Sequence, residues 1–413
     1  MDTDATPKTD SATPPADPAM LLFSPETADQ PHDAYRRLRE QCPVARSEGG
    51  SVSGEEGGSV LISSFETLTW ALKHPEYLSS EEAVAIGNDR PLIPLQIDPP
   101  DHAKYRRILD PEFSPKKMAA LEPDFRVLVN QVIDRFIDRG ECDFHEEFAT
   151  PLPSTFFLRL TGLPLDDLKV FLQWRDNIIR PDVDPGDFDA AAEIRAQTGR
   201  EMYAYFEQAL DERTDRPDDG LLTRLLHAEI DGERLTREEL LDICYLLIIA
   251  GLDTVTATLD CSIGFLARSP AERQRLVDDP SISSAVVEEL LRLETPVMMV
   301  PRIVKQDVAV GGVDMRAGDS VTLVIGAGNT DETEFADAHR ADFDRERNRH
   351  LAFGAGPHRC LGSHLARLEV RVALEEWHRR IPEYEIVDGA EFHYSPGIRQ
   401  TDTLPLSFGA SGA

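Results

Sequence analysis

The sequence predicts a single domain, mainly α-helical, with small β-sheets set into it. Three observations predict this. For roughly two hundred residues after "PLIPLQIDPPDHAKYRR" apolar side chains recur at helical spacing. Two shorter stretches, one towards each end, have the β-like alternation and Gly-rich turns of strands. No internal repeat and no Pro/Gly/Ser linker divides the 413 residues.

Taken in order, residues 1–19, "MDTDATPKTDSATPPADPA", lack apolar periodicity and read as a disordered leader, with the domain running over 20–413. "PHDAYRRLREQCPV" from Pro31 reads as a short amphipathic helix ending near Pro43. "SVLISSF" is the best early strand, after "GGSVSGEEGG" as a hairpin loop. "LEPDFRVLVNQVIDRFIDRG", closed by Gly140, and "GREMYAYFEQALDERT" are helices. The strongly apolar run "ICYLLIIAGL", Ile243 to Leu252, is well short of the ~20 residues that span a bilayer and reads as a buried helix. Two strands around "GG" and "AGD" turns follow in "IVKQDVAVGGVDMRAGDSVTLVI". A last helix, "SHLARLEVRVALEEWHRRIP", precedes a short β tail.

Composition excludes some functions. A net charge of −32 argues against nucleic-acid or anionic-membrane binding, since both need a basic face. Five scattered cysteines without a CxxC pair do not form a disulfide framework. Together with the lack of a basic-then-apolar opening segment, they lead to the expectation of a cytoplasmic protein.

The chemistry concentrates in "HLAFGAGPHRCLG", His350 to Gly362. A lone cysteine is by default an inert small hydrophobe. Here Gly354, Gly356 and Gly362 permit tight turns and close approach to a flat object, and Pro357 stiffens the loop. Cys360 stands just before a helix beginning near Gly362, where free N–H groups stabilise a thiolate. A zinc site built from His350, His358, Cys360 and His364 is the rival reading, without the paired-cysteine spacing of most knuckles. Elsewhere, Asp253 and Thr254 in "AGLDTV" put an acid and a hydroxyl in mid-helix, where they need partners or work. Glu289 and Arg292 stand three apart on one helical face.

Phe353, Gly356, His358, Cys360 and Gly362 match FxxGxxxCxG position by position, the haem-binding pattern of the cytochrome P-450 superfamily. "AGLDTV" matches that family's [AG]GxDT and "EELLRLETP" its ExxR, and "DHAKYRR" has the HxxxR spacing of many bacterial members. The chain thus resembles soluble bacterial cytochromes P-450, including the camphor-hydroxylating type, over nearly its whole length. The resemblance implies a haem b between the long central helix and the cysteine-loop helix, with Cys360 as axial ligand to iron. Such a thiolate pushes electron density onto the metal and favours O–O cleavage. It implies haem contacts from Ala250, Phe353, Gly354 and Gly362, and cations for the propionates in His102, Arg106, Arg302 and His358. Thr254 would hold oxygen and water at the reaction centre, Asp253 would relay protons, and Glu289 with Arg292 would support the fold beneath the haem.

Substrate contacts carried across are the loop from Glu82 to Leu95, the positions Leu246, Ile249, Ala250 and Thr254, the stretch Val297, Met298 and Met299, and the turn Gly397, Ile398 and Arg399. This mostly aliphatic set suits a terpenoid, steroid or fatty chain. Arg399 is expected to point outward; facing inward it would pair with a substrate carboxylate, aromatic acids included. The resemblance implies O₂ as co-substrate and electrons from NAD(P)H through a ferredoxin reductase and a ferredoxin. The latter would dock on Arg107, Arg345, Arg347, Arg349 and Arg367. Peroxygenase, desaturation or phenol-coupling outcomes are alternatives on the same haem, although Asp253 and Thr254 together favour O₂ activation. A non-catalytic haem-binding sensor is the alternative from another class.

Overall fold

A capping box starts the helix around which the chain is arranged. Thr236 Oγ1 accepts from Glu239 N, and the Glu239 carboxylate accepts from Thr236 N at 2.7 Å. The helix Arg237–Leu252 is apolar on nearly every face and therefore sits inside the protein. It breaks at Asp253 and resumes as Thr254–Arg268. Thr254, Thr256, Thr258 and Ser262 each return their hydroxyls to the carbonyl four residues earlier, a pattern that bends helices. The combined run Arg237–Arg268 is long and apolar enough to cross a membrane, but 72% of its apolar window is buried inside the protein, as in a core helix.

A computed structural model describes residue 22 and residues 25–47, 59–81, 83, 86–88, 90–184, 186–230 and 232–409. The leader 1–19 and the "GGSVSGEEGG" loop lie outside the described residues. The helix read from Pro31 spans Pro31–Gln41. "GREMYAYFEQALDERT" belongs to the longer helix Phe188–Asp215. The chain after Leu121 forms Glu122–Ile133 and a 3₁₀ turn Ile137–Arg139, closed by Gly140 in the left-handed region at φ 73°. The last helix, Ser363–Arg380, buries Trp377 among Phe136, Phe144, Phe148 and Tyr384.

Five strands make the principal sheet, in the order Val44–Ser47, Ser59–Ile62, Ser320–Leu323, Val300–Val304, Leu78–Ser79. The first and last were not legible as strands. The central pairing, Ser320–Leu323 on Ser59–Ile62, is parallel, so it joins the two ends of the chain. The "GG" turn forms its own hairpin, Val308–Val310 against Val313–Met315, with Gly311 and Gly312 both at positive φ. Val297 and Ile398 meet in an isolated antiparallel bridge, and this brings two of the expected substrate segments together.

Candidate functional site

The cysteine loop is closed by Cys360 N donating to Phe353 O at 2.8 Å. Gly356 stands at φ +69°, and a Cβ there would lie 2.3 Å from Leu72 O, so no other residue fits the turn. Gly362 caps the helix Ser363–Arg380. Burial pushes the Cys360 thiol up, while the Gly362 N–H and the cations Arg106, Arg359 and Arg367 pull it back. Cys360 is ringed by protein and yet open to solvent, as a side chain at the floor of a slot is.

The opposite wall is the central helix. Ile248 and Leu252 are fully buried, but Ala250 between them is exposed and Leu246, Ile249 and Thr254 are half-open. An alanine in the middle of a core helix meets solvent only where that helix borders an internal hollow. Leu246 and Ile249 of the central helix, and Leu361 and Leu365 beside Cys360, all pack against the same apolar cluster.

One of the expected cations, His358, pairs with an acid that the sequence reading missed, Asp98, while Arg106 pairs with Asp110 at 2.7 Å. Asp98 accepts from His358 Nε2 at 3.2 Å, Ser79 Oγ at 2.5 Å and Ser80 N at 3.2 Å. Burial opposes its ionisation, but these bonds hold its carboxyl down at about 2. The rings of His102 and His358 lie 4.5 Å apart. Burial, then His358 and Arg106, lower His102 to about 4. Arg106 bridges to the cysteine loop through Arg359 O at 2.7 Å. Arg302 is buried, donates to Pro301 O, and makes no ion pair among the described residues. Burial lowers it to about 10.

These residues fit a haem. Among the described residues, His102 Nε2 and His358 Nδ1 are buried without a hydrogen-bond partner, and Arg302 is a buried guanidinium with no ion pair. A pair of carboxylates would relieve all three. Among the described residues nothing stands within 4 Å of a Cβ built on Gly362, which leaves room for a flat face beside Cys360. The zinc alternative loses a ligand, because His350 Nε2 is engaged by Glu288 Oε2 at 3.0 Å. Among the described residues no three His, Cys, Asp or Glu side chains are grouped to hold a metal ion.

Asp253 is fully buried at the helix break and held by two arginines that sequence reasoning did not find. Arg180 donates to both carboxylate oxygens, at 2.9 and 3.2 Å, and Arg175 Nε lies 3.8 Å away. Glu289 and Arg292, both buried, form a two-point pair at 2.7 and 2.9 Å. Glu289 also accepts from Arg345, Asn348 and Asp342 N.

Three expectations require correction. Met298 is 0% exposed and packs with Leu22, Tyr35 and Leu38, so it has no surface to offer a substrate. Arg399 is neither outward nor available to a carboxylate substrate. It is 2% exposed, with Nε on Ala28 O and Nη1 on both the carbonyl and the carboxylate of Glu294. Arg345 is tied to Glu289 with a side chain only 9% exposed, which removes it from the docking face. Val297 and Ile398 remain half-open at their bridge. Arg90, from the expected substrate loop, is clamped to Asp242 of the central helix at 2.9 Å.

Residues 167–279 and 281–379 match the family model for cytochrome P450. Cytochrome P450 107B1 of Saccharopolyspora erythraea is 32% identical over 412 residues, 95% of this chain and 98% of that protein. Steroid C26-monooxygenase of Mycobacterium tuberculosis is 32% identical over 384 residues, 91% of this chain and 93% of that protein. The crystal structure of CYP109E1 from Bacillus megaterium in complex with testosterone superposes with a TM-score of 0.85 at 27% identity, covering 93% of this chain and 99% of that one.

Proposed function

This chain belongs to the cytochrome P450 family and is a monooxygenase with a haem-thiolate cofactor, and we propose that it hydroxylates a compact apolar substrate of the steroid or terpenoid class. The observation that carries the reading is that the open positions expected to meet substrate are aliphatic: Leu246 and Ile249 beside exposed Ala250 on the central helix, and Val297 with Ile398 at their bridge. Such a wall holds a substrate by area, at roughly 25 cal/mol per Å² of apolar surface removed from water, and offers it no charge. The steroid named for one relative, and the testosterone in a similar structure, support the same class.

A haem b held by the Cys360 thiolate supplies the reductive activation of O₂ and the oxidation of the C–H bond. The chain's own residues do the rest. His102, Arg302 and His358 would bind its carboxylates, and Arg106 braces the cysteine loop. The Thr254 hydroxyl donates to Ala250 O at 2.9 Å and keeps lone pairs with which to hold a water at the helix break. Asp253 stores and passes protons beside it, kept in place by Arg180. Arg107, Arg347 and Arg359 are exposed on or near the cysteine side. They offer a local basic patch to an acidic ferredoxin on a molecule whose net charge of −32 otherwise repels it. Five cysteines without a disulfide suit a reducing cytoplasm.

The test is spectroscopic. The reduced protein under carbon monoxide is expected to absorb near ~450 nm, as a thiolate-ligated haem does. Steroids and terpenoids added to the oxidised protein should displace the haem spectrum towards high spin, whereas charged aromatic acids should not. A histidine-type carbon monoxide band in the intact protein would refute Cys360 as ligand. A response confined to the acids would overturn the substrate class.

A further inference from the structure

Arg180 is the residue on which Asp253 depends, and its own helix offers its guanidinium only a long contact, to Asp176 at 3.4 Å. It follows the helix Leu168–Ile179 with φ −133° and ψ 63°, outside helical geometry. Two carboxylates compete for it: buried Asp253, at 2.9 and 3.2 Å, and the more open Asp176, at 3.4 Å. Asp176 is already paired with Arg175 at 2.8 Å. A third partner decides the competition. Gln400 is 3% exposed, and its Oε1 accepts from Arg180 Nη1 at 3.1 Å, the same nitrogen that reaches Asp253 Oδ2.

Gln400 belongs to the turn that carries Ile398. Arg399 anchors this turn through Glu294 and Ala28 O. The bridge to Val297 fixes it on one side, and the bonds of Gln400 N to Ile398 O and Ser395 N to Gln400 O close it. The side chains of consecutive residues therefore go to three destinations: Ile398 to the substrate wall, Arg399 into the core, and Gln400 to Arg180. We propose that Gln400 is a positioning residue for Asp253: it holds the Arg180 guanidinium on that carboxylate and ties the proton-delivering acid to the turn that contacts substrate. Without Gln400, Arg180 relaxes towards Asp176 and solvent, and Asp253 is left with Arg175 Nε at 3.8 Å. This rests on the reading of Asp253 as the proton-delivering acid, and the experiment separates the two.

Gln400→Leu removes the acceptor at similar volume, and Gln400→Met serves if the leucine variant does not retain haem. Electrons consumed, product formed and hydrogen peroxide released are measured with a surrogate ferredoxin system. Alongside them go the solvent hydrogen-isotope effect on turnover and the substrate dissociation constant from the spectral titration. The variant is expected to lower product per electron about three- to tenfold, the net worth of one ordinary hydrogen bond. Peroxide and the isotope effect should rise, while substrate affinity and haem content stay as in the parent. In an Asp253→Asn background the same substitution should add nothing. An unchanged product yield, or an equal loss in the Asp253→Asn background, overturns the proposal for Gln400 alone. Full coupling in Asp253→Asn itself overturns the reading beneath it.

Discussion

A buried arginine is costly unless an anion and good hydrogen-bond geometry meet it, and Arg399 has both: Glu294 Oε2 at 2.8 Å, with Glu294 O and Ala28 O taking two further bonds. Its guanidinium also lies 4.7 Å from the Tyr394 ring centroid. This pair fixes the turn whose next-door Ile398 borders the substrate space. Arg399→Met leaves the Glu294 carboxylate in the interior without its cation and should destabilise the protein by about 3–5 kcal/mol. Arg399→Met with Glu294→Leu should recover most of that, because a fully apolar replacement strands no charge. Denaturant midpoints of the two variants check this; a single variant as stable as the parent would mean that the pair does not hold the turn. At this scale the sequence was readable where one local motif sufficed. Cys360 and Thr254 stand out by their neighbours. Met298 did not, because "VMMV" is apolar at every position and nothing in it marks which side chain faces the core.

The helix Ser283–Glu294 shows what a local pattern reveals at the scale of an element and what it hides. Glu289 and Arg292 are three apart, so helix geometry alone brings them together. Arg345 and Asn348, which complete the shell around Glu289, are 56 and 59 residues away and come into reach only because the loop before the cysteine folds back. Arg180 reaches Asp253 across 73 residues in the same way, and Asp98 reaches His358 across 260. Helices and hairpins with strong periodicity were legible. The short strands Val44–Ser47 and Leu78–Ser79 were not, since pairing rather than pattern makes them strands. The Glu289 shell staples the helix to the segment entering the cysteine loop. Glu289→Gln leaves two buried guanidiniums sharing a neutral amide, so stability should fall by about 3–5 kcal/mol. Haem should also pass to an acceptor apoprotein faster than from the parent. Haem transfer at the parent rate would show that the shell does not support the cofactor loop.

Across the whole molecule, two opposing effects set the response to acid. The net charge of −32 at neutral pH makes the compact state repel itself, and acidification towards the sequence pI of about 4.7 relieves this. Buried neutral histidine works the other way. His378 donates Nδ1–H to Leu374 O at 2.7 Å and accepts from Tyr384 Oη at Nε2, 3.0 Å away. Burial, only partly offset by that carbonyl, lowers it from 6.5 to about 4. Between those values the unfolded chain binds a proton that the native protein refuses, so stability falls as pH falls, by up to about 3 kcal/mol at the lower end. Below about 4.5 the carboxylates of Glu288 and Glu332 add further loss: against burial, Arg367 and His350 hold the first near 2, and its own backbone N–H with His339 and Arg39 holds the second there. Salt separates the effects, because it screens surface repulsion and leaves a buried imidazole almost untouched. In high salt the denaturation midpoint should therefore decline steadily from pH 6.5 to 4. His378→Gln has no proton to take up, and its decline over that interval should be visibly shallower at the same salt. Equal slopes for the two proteins would assign the acid sensitivity to some group other than His378.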